Sequence, residues 1–169
     1  MRYIDFDGVI LDTEDILFEE WRNSPERFEL PQKEKIKYIQ KKNWGKILNE
    51  SPIINDSIYI LNQMNIYTTA ILTKIHSLEN EGYEKIKFLR KCGVKQNIIL
   101  VPYELKKTDV VSPFGNILID DSLKNLKEWE QFGGYPMFFD KKENNIDSFG
   151  IYNEQGYQRV LRIDDKLTH

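Results

Sequence analysis

Acidic and hydroxyl side chains recur in this chain where an apolar run ends. Asp5 and Asp7 stand in Tyr3-Ile4-Asp5-Phe6-Asp7-Gly8-Val9, Thr73 follows Ala70-Ile71-Leu72, and Asp120-Asp121 follow Ile117-Leu118-Ile119. Residues two apart on a strand share a face, so the spacing predicts that Asp5 and Asp7 reach one spot at the C-terminal end of the first strand. Neighbouring carboxylates repel and raise each other's pKa, a cost tolerated where a cation bridges them or a reaction uses them. Taken alone, an Asp-x-Asp fits a solvated strand end equally well.

The elements that must position these groups follow from periodicity. Tyr3, Ile4 and Phe6 read as a short buried strand stopped by Gly8. Ile54, Ile58, Leu61 and Met64 mark one helical face, and Tyr67 to Thr73 is a strand rich in β-branched residues. A helix capped by Ser77 should bury Tyr83, Ile86 and Leu89 and stop at Gly93. Asn97 to Val101 and Asn116 to Ile119 are further strands. Ser122 caps a helix burying Leu123, Leu126 and Trp129, and Tyr135 to Phe139 is the fifth strand. Strands and helices in alternation predict an α/β fold, a doubly wound, Rossmann-like parallel sheet of about five strands covered on both faces.

Residues 14 to 50 have a different character. Ile16, Leu17 and Trp21 on one segment and Ile36 and Ile39 on another have helical spacing, with turns at Ser24-Pro25 and Leu30-Pro31 between them. The expectation is one domain over 1–169 with a small helical cap inserted after strand 1, over approximately 14–50. Its aromatics Phe18, Trp21, Phe28, Tyr38 and Trp44 serve as cap core or touch a ligand. Residues 141 to 169 read as a peripheral tail with one short element around Tyr157 to Ile163.

Composition narrows the partners. A net charge of −3 over 169 residues offers no basic footprint for duplex nucleic acid or an anionic membrane. The single cysteine, Cys92, excludes an intramolecular disulfide and a cysteine-based zinc site. Apolar runs are short and no leader precedes the first strand, so the expected location is cytoplasmic, without membrane contact.

In an open parallel sheet, ligands bind beyond the carboxyl ends of the strands where strand order reverses. Asp5, Asp7, Thr73, Asp120 and Asp121 would meet at that mouth. Four carboxylates without His or Cys require a hard divalent cation, and oxygen-only donors favour Mg²⁺. Magnesium in turn favours a phosphate-bearing substrate.

These motifs together resemble those of the haloacid dehalogenase-like (HAD) phosphohydrolases: Asp5-Phe6-Asp7-Gly8-Val9 with Leu11 and Thr13, Thr73 after a strand, a lysine before the fourth strand, and Asp120-Asp121 after it. The resemblance implies Asp5 as nucleophile forming an aspartyl-phosphate, Asp7 as general acid and then base, Thr73 as a phosphate-orienting hydroxyl and the lysine as a charge clamp. It further implies a Mg²⁺ site of Asp5, the Asp7 backbone carbonyl and Asp121, with Asp120 in or beside it. Relatives working as dehalogenases lack the second acid, so the resemblance makes Asp7 point to phosphatase or phosphomutase chemistry, with phosphatase preferred because hydrolysis needs only water as the second acceptor.

Lys106 and Lys107 both precede the fourth strand. The run Lys107-Thr108 with Val110-Val111-Ser112 is similar to the 5′(3′)-deoxyribonucleotidase branch, as is Tyr83-Glu84-Lys85. That likeness selects Lys107 and implies a (deoxy)nucleoside monophosphate substrate, with Phe18, Trp21 and Lys74 as substrate-binding candidates. Lys74 itself departs from the branch, where a small hydroxyl residue is expected. The alternatives are a sugar-phosphate or polynucleotide-end phosphatase, or a non-catalytic protein binding a phosphorylated ligand.

Overall fold

The computed structural model describes residues 1–22, 31–141 and 152–167. Among them, six strands form one parallel sheet: β1 (Arg2–Ile4), β2 (Thr69–Ile75), β3 (Asn97–Pro102), β4 (Ile117–Asp120), β5 (Tyr135–Phe139) and β6 (Gln158–Val160). Their order is β3-β2-β1-β4-β5-β6. The chain winds outward from β1 on one side, then returns to place β4 on its other side. Ile4 is consequently in register with both Ile71 and Ile119. This reversal at β1 is the switch point at which such sheets bind ligands. The α/β doubly wound expectation holds, with one strand more than the five counted; the extra strand lies in the 141–169 tail and pairs with β5.

Seven α-helices accompany the sheet among the described residues: α1 (Thr13–Arg22), α2 (Gln32–Gln40), α3 (Trp44–Glu50), α4 (Ser57–Gln63), α5 (Tyr83–Lys91), α6 (Lys107–Val110) and α7 (Leu123–Gln131). The first three fall between β1 and β2 in the segment expected to form a cap. Asn43 caps α3 by accepting from the Lys46 N–H, and Ser122 likewise caps α7 through Asn125.

Alternation along the strands explains the two cores. Ile4, Ile71 and Ile119 point to one face, where they pack with Phe6, Trp44, Leu48, Leu61 and Leu89. Tyr3, Leu72 and Leu118 point to the other and pack under Leu126 and Trp129 of α7. Tyr3 and Trp129 meet edge to face at 5.4 Å, and the Trp129 indole donates to the Asn116 carbonyl.

Two local expectations are corrected. The second strand runs two residues past Thr73, which is therefore an interior strand residue, fully buried. The helix after it begins as a π-helical turn, Leu78–Gly82, capped by Ser77. In α5 the buried residues are Lys85 and Leu89, whereas Tyr83 is 58% and Ile86 37% exposed. Apolar spacing placed Leu89 correctly but set Tyr83 and Ile86 inward in place of Lys85, because a lysine is rarely the residue that turns inward. Lys85 does so because acidic partners await it below.

Candidate active site

β1 ends at Ile4, and the Asp5 N–H extends the ladder by donating to the Ile119 carbonyl. The chain then turns tightly, with Ile10 and Leu11 N–H groups both donating to the Phe6 carbonyl. This turn, rather than strand alternation, sets the directions of Asp5 and Asp7. Gly8 makes it possible: its φ is +74°, and a Cβ there would collide with the Asp121 carboxylate. The loop after β1 thus lies against the loop after β4, with no room for a side chain.

Lys107 opens α6, is 2% exposed, and reaches between two acids. Its Nζ is 2.8 Å from Asp5 Oδ1 and 2.6 Å from Asp120 Oδ2. Lys106, the adjacent candidate, is an exposed lysine 3.6 Å from Glu128. Asp120 is fully buried, and its oxygens accept further hydrogen bonds from the Ser122 N–H and Asn125 Nδ2. It acts as the anchor of Lys107. Asp5 and Asp121 line the cleft.

On the other side of the turn, Asp7 accepts at Oδ1 from the Thr13 hydroxyl (2.7 Å) and at Oδ2 from Lys85 Nζ (2.5 Å). Lys85 also donates to Thr73 Oγ1 at 3.2 Å and to Glu81 Oε1 at 2.8 Å. Glu81 is 1% exposed and accepts in turn from the His76 backbone N–H. The sequence motifs include Thr13 and Lys85 without giving either a chemical role, and nothing in them marks Glu81. A Glu and a Lys four apart look like a surface helix pair, and only the inward turn of α5 makes them a buried one.

The cleft above these groups holds about 320 Å³ and is lined by Asp5, Asp7, Gly8, Thr13 and Asp121 at its base. Leu17, Phe18, Ile36, Ile39 and Trp44 supply an apolar wall from α1 to α3, and Lys35, Lys74 and His76 stand at the sides. Phe18 is half-buried, with Lys35 Nζ 5.0 Å from its ring centre. The side chains of Trp21 and Phe28 lie outside the described residues. Trp44 is buried, its indole donating to the Ile39 carbonyl. Tyr38 packs against the main core.

The electrostatics identify an excess of negative charge at the base. Burial pushes the Asp5 carboxyl up to about 7; Lys107 opposes this, while Asp120 and Asp7 add to it. Burial, Asp5 and Asp120 push Asp121 up to about 8. Burial works against the Lys107 and Lys85 ammonium groups, but their acidic partners outweigh it and hold both above the ordinary lysine value. At Lys74 burial prevails, aided by Lys124, and the pKa is lowered.

Asp5, Asp120 and Asp121 each offer an oxygen within 4.8 Å of the others. One lysine does not balance three carboxylates, and the donors are oxygen throughout, so the residues present suit a hard divalent cation. A stability prediction follows. In chelator, the melting temperature should fall as pH rises from about 4 to about 8. Asp5 and Asp121 hold protons more tightly folded than unfolded, so across that window the unfolded state binds fewer and the slope is negative. Mg²⁺ at a hundredfold excess over Kd should add about 2.7 kcal/mol, roughly 5–10 °C, and flatten the slope. A melting temperature indifferent to Mg²⁺ at pH 8 would remove the cation site.

No protein-family model matches this sequence, and a search of curated proteins finds no match. Solved structures do share its fold. A haloacid dehalogenase-like family hydrolase from Streptococcus pneumoniae is 15% identical over 82% of this chain and 83% of its own, with a TM-score of 0.58. A HAD hydrolase of family IA, variant 3, from Entamoeba histolytica is 12% identical over 94% and 91%, with a TM-score of 0.56. The D,D-heptose 1,7-bisphosphate phosphatase from Burkholderia thailandensis is 12% identical over 96% and 92%, with a TM-score of 0.53. At these identities the likeness is one of fold. Among the described residues, no helix is long and apolar enough to cross a membrane.

Proposed function

We propose that this chain is a HAD-type phosphatase that hydrolyses a small phosphomonoester through an aspartyl-phosphate on Asp5. The observation that carries this reading is the Lys107 ammonium between Asp5 and Asp120, with Asp5, Asp7 and Asp121 lining one cleft. A solvated acidic strand end has no need of a buried lysine, and an anion-binding pocket has no need of so many acids.

In this reading, residues 1–169 form one domain and approximately 14–50 its helical cap. Asp5 attacks phosphorus, the bond to the leaving oxygen breaks, and Asp7 supplies the proton that oxygen takes up. Water then attacks the phosphoenzyme, Asp7 accepts its proton, and the Asp5 carboxylate is restored. Lys107 offsets charge on the phosphoryl oxygens, and the Thr73 hydroxyl orients them. Asp5, Asp121 and the Asp7 carbonyl would hold Mg²⁺, with Asp120 beside them fixing Lys107. Bound there, the ion supplies electrostatic neutralisation of the phosphoryl group.

The leaving group would face the wall of Leu17, Phe18, Ile36, Ile39 and Trp44, which suits a flat apolar face such as a nucleobase. With the Tyr83-Glu84-Lys85 and Lys107-Thr108 likenesses, this supports a (deoxy)nucleoside monophosphate and a 5′-nucleotidase activity. The fold shared with a heptose bisphosphate phosphatase supports a sugar phosphate equally. Lys74 and Lys35 at the cleft side are candidates for either substrate. A phosphate-release screen across phosphorylated metabolites, with and without Mg²⁺, tests the class and the substrate together. Release from no phosphomonoester in Mg²⁺ overturns the phosphatase reading, and sugar phosphates exceeding every nucleotide overturn the nucleotidase reading alone.

Phe18→Ala separates the two further. Stacking contributes about 1–3 kcal/mol, so kcat/KM for a nucleotide should fall roughly tenfold or more. Hydrolysis of p-nitrophenyl phosphate should fall less. Equal losses on both substrates would make Phe18 a packing residue.

A further inference from the structure

Lys85 takes no part in the chemistry just described, yet its ammonium is completely buried beside it. It donates to Asp7 Oδ2 at 2.5 Å, Glu81 Oε1 at 2.8 Å, the Lys74 carbonyl at 3.1 Å and Thr73 Oγ1 at 3.2 Å. The rings of Phe6 and Trp44 each stand 5.2 Å from the nitrogen. Burying a lysine is costly, and a well-packed apolar side chain would stabilise the fold as well or better. Stability therefore does not explain it.

Charge balance separates its two acids. Glu81 is as buried as Lys85, four residues away on the same helical path, and by itself neutralises the ammonium. Asp7 is 35% exposed and could turn to solvent without leaving Lys85 unpaired. Its contact with Lys85 is therefore not needed for burial. What the contact does is fix Asp7: Lys85 holds one carboxylate oxygen, Thr13 the other, and the same ammonium touches Thr73. The clamp is also joined to the segment between β1 and β2. Trp44 of α3 roofs Lys85, Asn80 of the π-helical turn donates to the Gln40 and Lys42 carbonyls, and Gln40 Nε2 donates to the His76 carbonyl.

We infer that Lys85 is a positioning residue for the second half-reaction: it holds Asp7 as an oriented carboxylate, in register with Thr73, to take the proton from the water that hydrolyses the phosphoenzyme. In that step the water oxygen bonds to phosphorus, the bond from phosphorus to the Asp5 oxygen breaks, and the water proton passes to Asp7. The inference rests on the phosphatase reading. Orientation is what the contact supplies, because a base must lie within hydrogen-bond reach of the water it deprotonates. It is no help to the first step when the leaving group needs no proton.

The test uses p-nitrophenyl phosphate, whose leaving group departs as the anion. Lys85→Met alone strands Glu81 as an unpaired buried charge, so the pair Glu81→Gln/Lys85→Met carries the experiment, with its melting temperature measured in parallel. Dephosphorylation should slow by about 10²-fold, the loss expected when a reacting group is misplaced by about 1 Å. The pair should then release p-nitrophenolate in a burst of one per active site and accumulate a phosphorylated protein, seen as one added phosphoryl group after acid quench. Adding Asp7→Asn to the pair should cost little more, because both changes remove the same function. An active wild type, with a folded pair that shows equal losses in burst and steady state and no phosphoenzyme, overturns the inference and leaves the phosphatase reading intact. A folded pair with unchanged turnover overturns it too. A wild type that hydrolyses no phosphomonoester overturns the phosphatase reading, and this inference with it.

Discussion

Asp5→Asn is expected to lower kcat/KM for any phosphomonoester by about 10⁴-fold or more while leaving the protein folded. The amide has the shape of the carboxylate but neither its charge nor its nucleophilicity, so the covalent step has no acceptor. Stability should move the other way. Burial and nearby acids push the Asp5 carboxyl up to about 7, so above that pH the folded protein carries an unfavourable charge that the amide removes. Lys107 keeps Asp120 as its partner at 2.6 Å. In chelator at pH 8 the variant should melt no lower than the wild type. Phosphate release and thermal melting check both halves, and retained turnover would refute the nucleophile.

Lys107→Met should damage both properties at once. It leaves Asp5 and the fully buried Asp120 facing each other without the cation between them. Removing one partner of a buried pair costs about 3–5 kcal/mol, which for a chain of this size is roughly 6–20 °C in melting temperature. Loss of a charge aimed at the phosphoryl oxygens should lower kcat/KM by about 10²–10³-fold beyond that. Mg²⁺ should recover part of the stability, because it supplies charge to the same acids. Lys106→Met is the control. Its side chain is exposed and 3.6 Å from Glu128, so the change should stay within about 0.5 kcal/mol and leave turnover intact. If the two variants behave alike, Lys107 is not the clamp.

Much of the architecture was legible because it depends on local patterns. Thr69 to Leu72, Asn97 to Val101 and Tyr135 to Phe139 are compact apolar runs between helical periodicities, and such alternation has few packed solutions besides a parallel sheet. Where local pattern was weak, the reading slipped. The second strand extends to Ile75 because β3 offers partners through Pro102. The sixth strand, Gln158–Val160, does lie where one short strand or helix was expected, around Tyr157 to Ile163, but its place in the sheet comes from pairing with β5. The π-helical turn before α5 carries no apolar period from which it could have been inferred.

The candidate site divides along the same line. By its own order, the sequence determined that Asp5, Asp7, Asp120 and Asp121 would stand at the C-terminal ends of β1 and β4, because those strand ends are written in adjacent residues, whereas Thr73 lies two residues short of the end of β2. It also determined the donor chemistry, oxygen without nitrogen or sulfur. The likeness had selected Lys107 of the two neighbouring lysines, but only the tertiary structure sets its ammonium between Asp5 and Asp120, since the start of α6 buries Lys107 and leaves Lys106 in solvent. Only the tertiary structure turned Glu81 and Lys85 inward beneath Trp44 and set the ammonium on Asp7, seventy-eight residues away. The physical reason is that a charge is buried when distant partners offset its desolvation. No window of neighbouring residues contains that information.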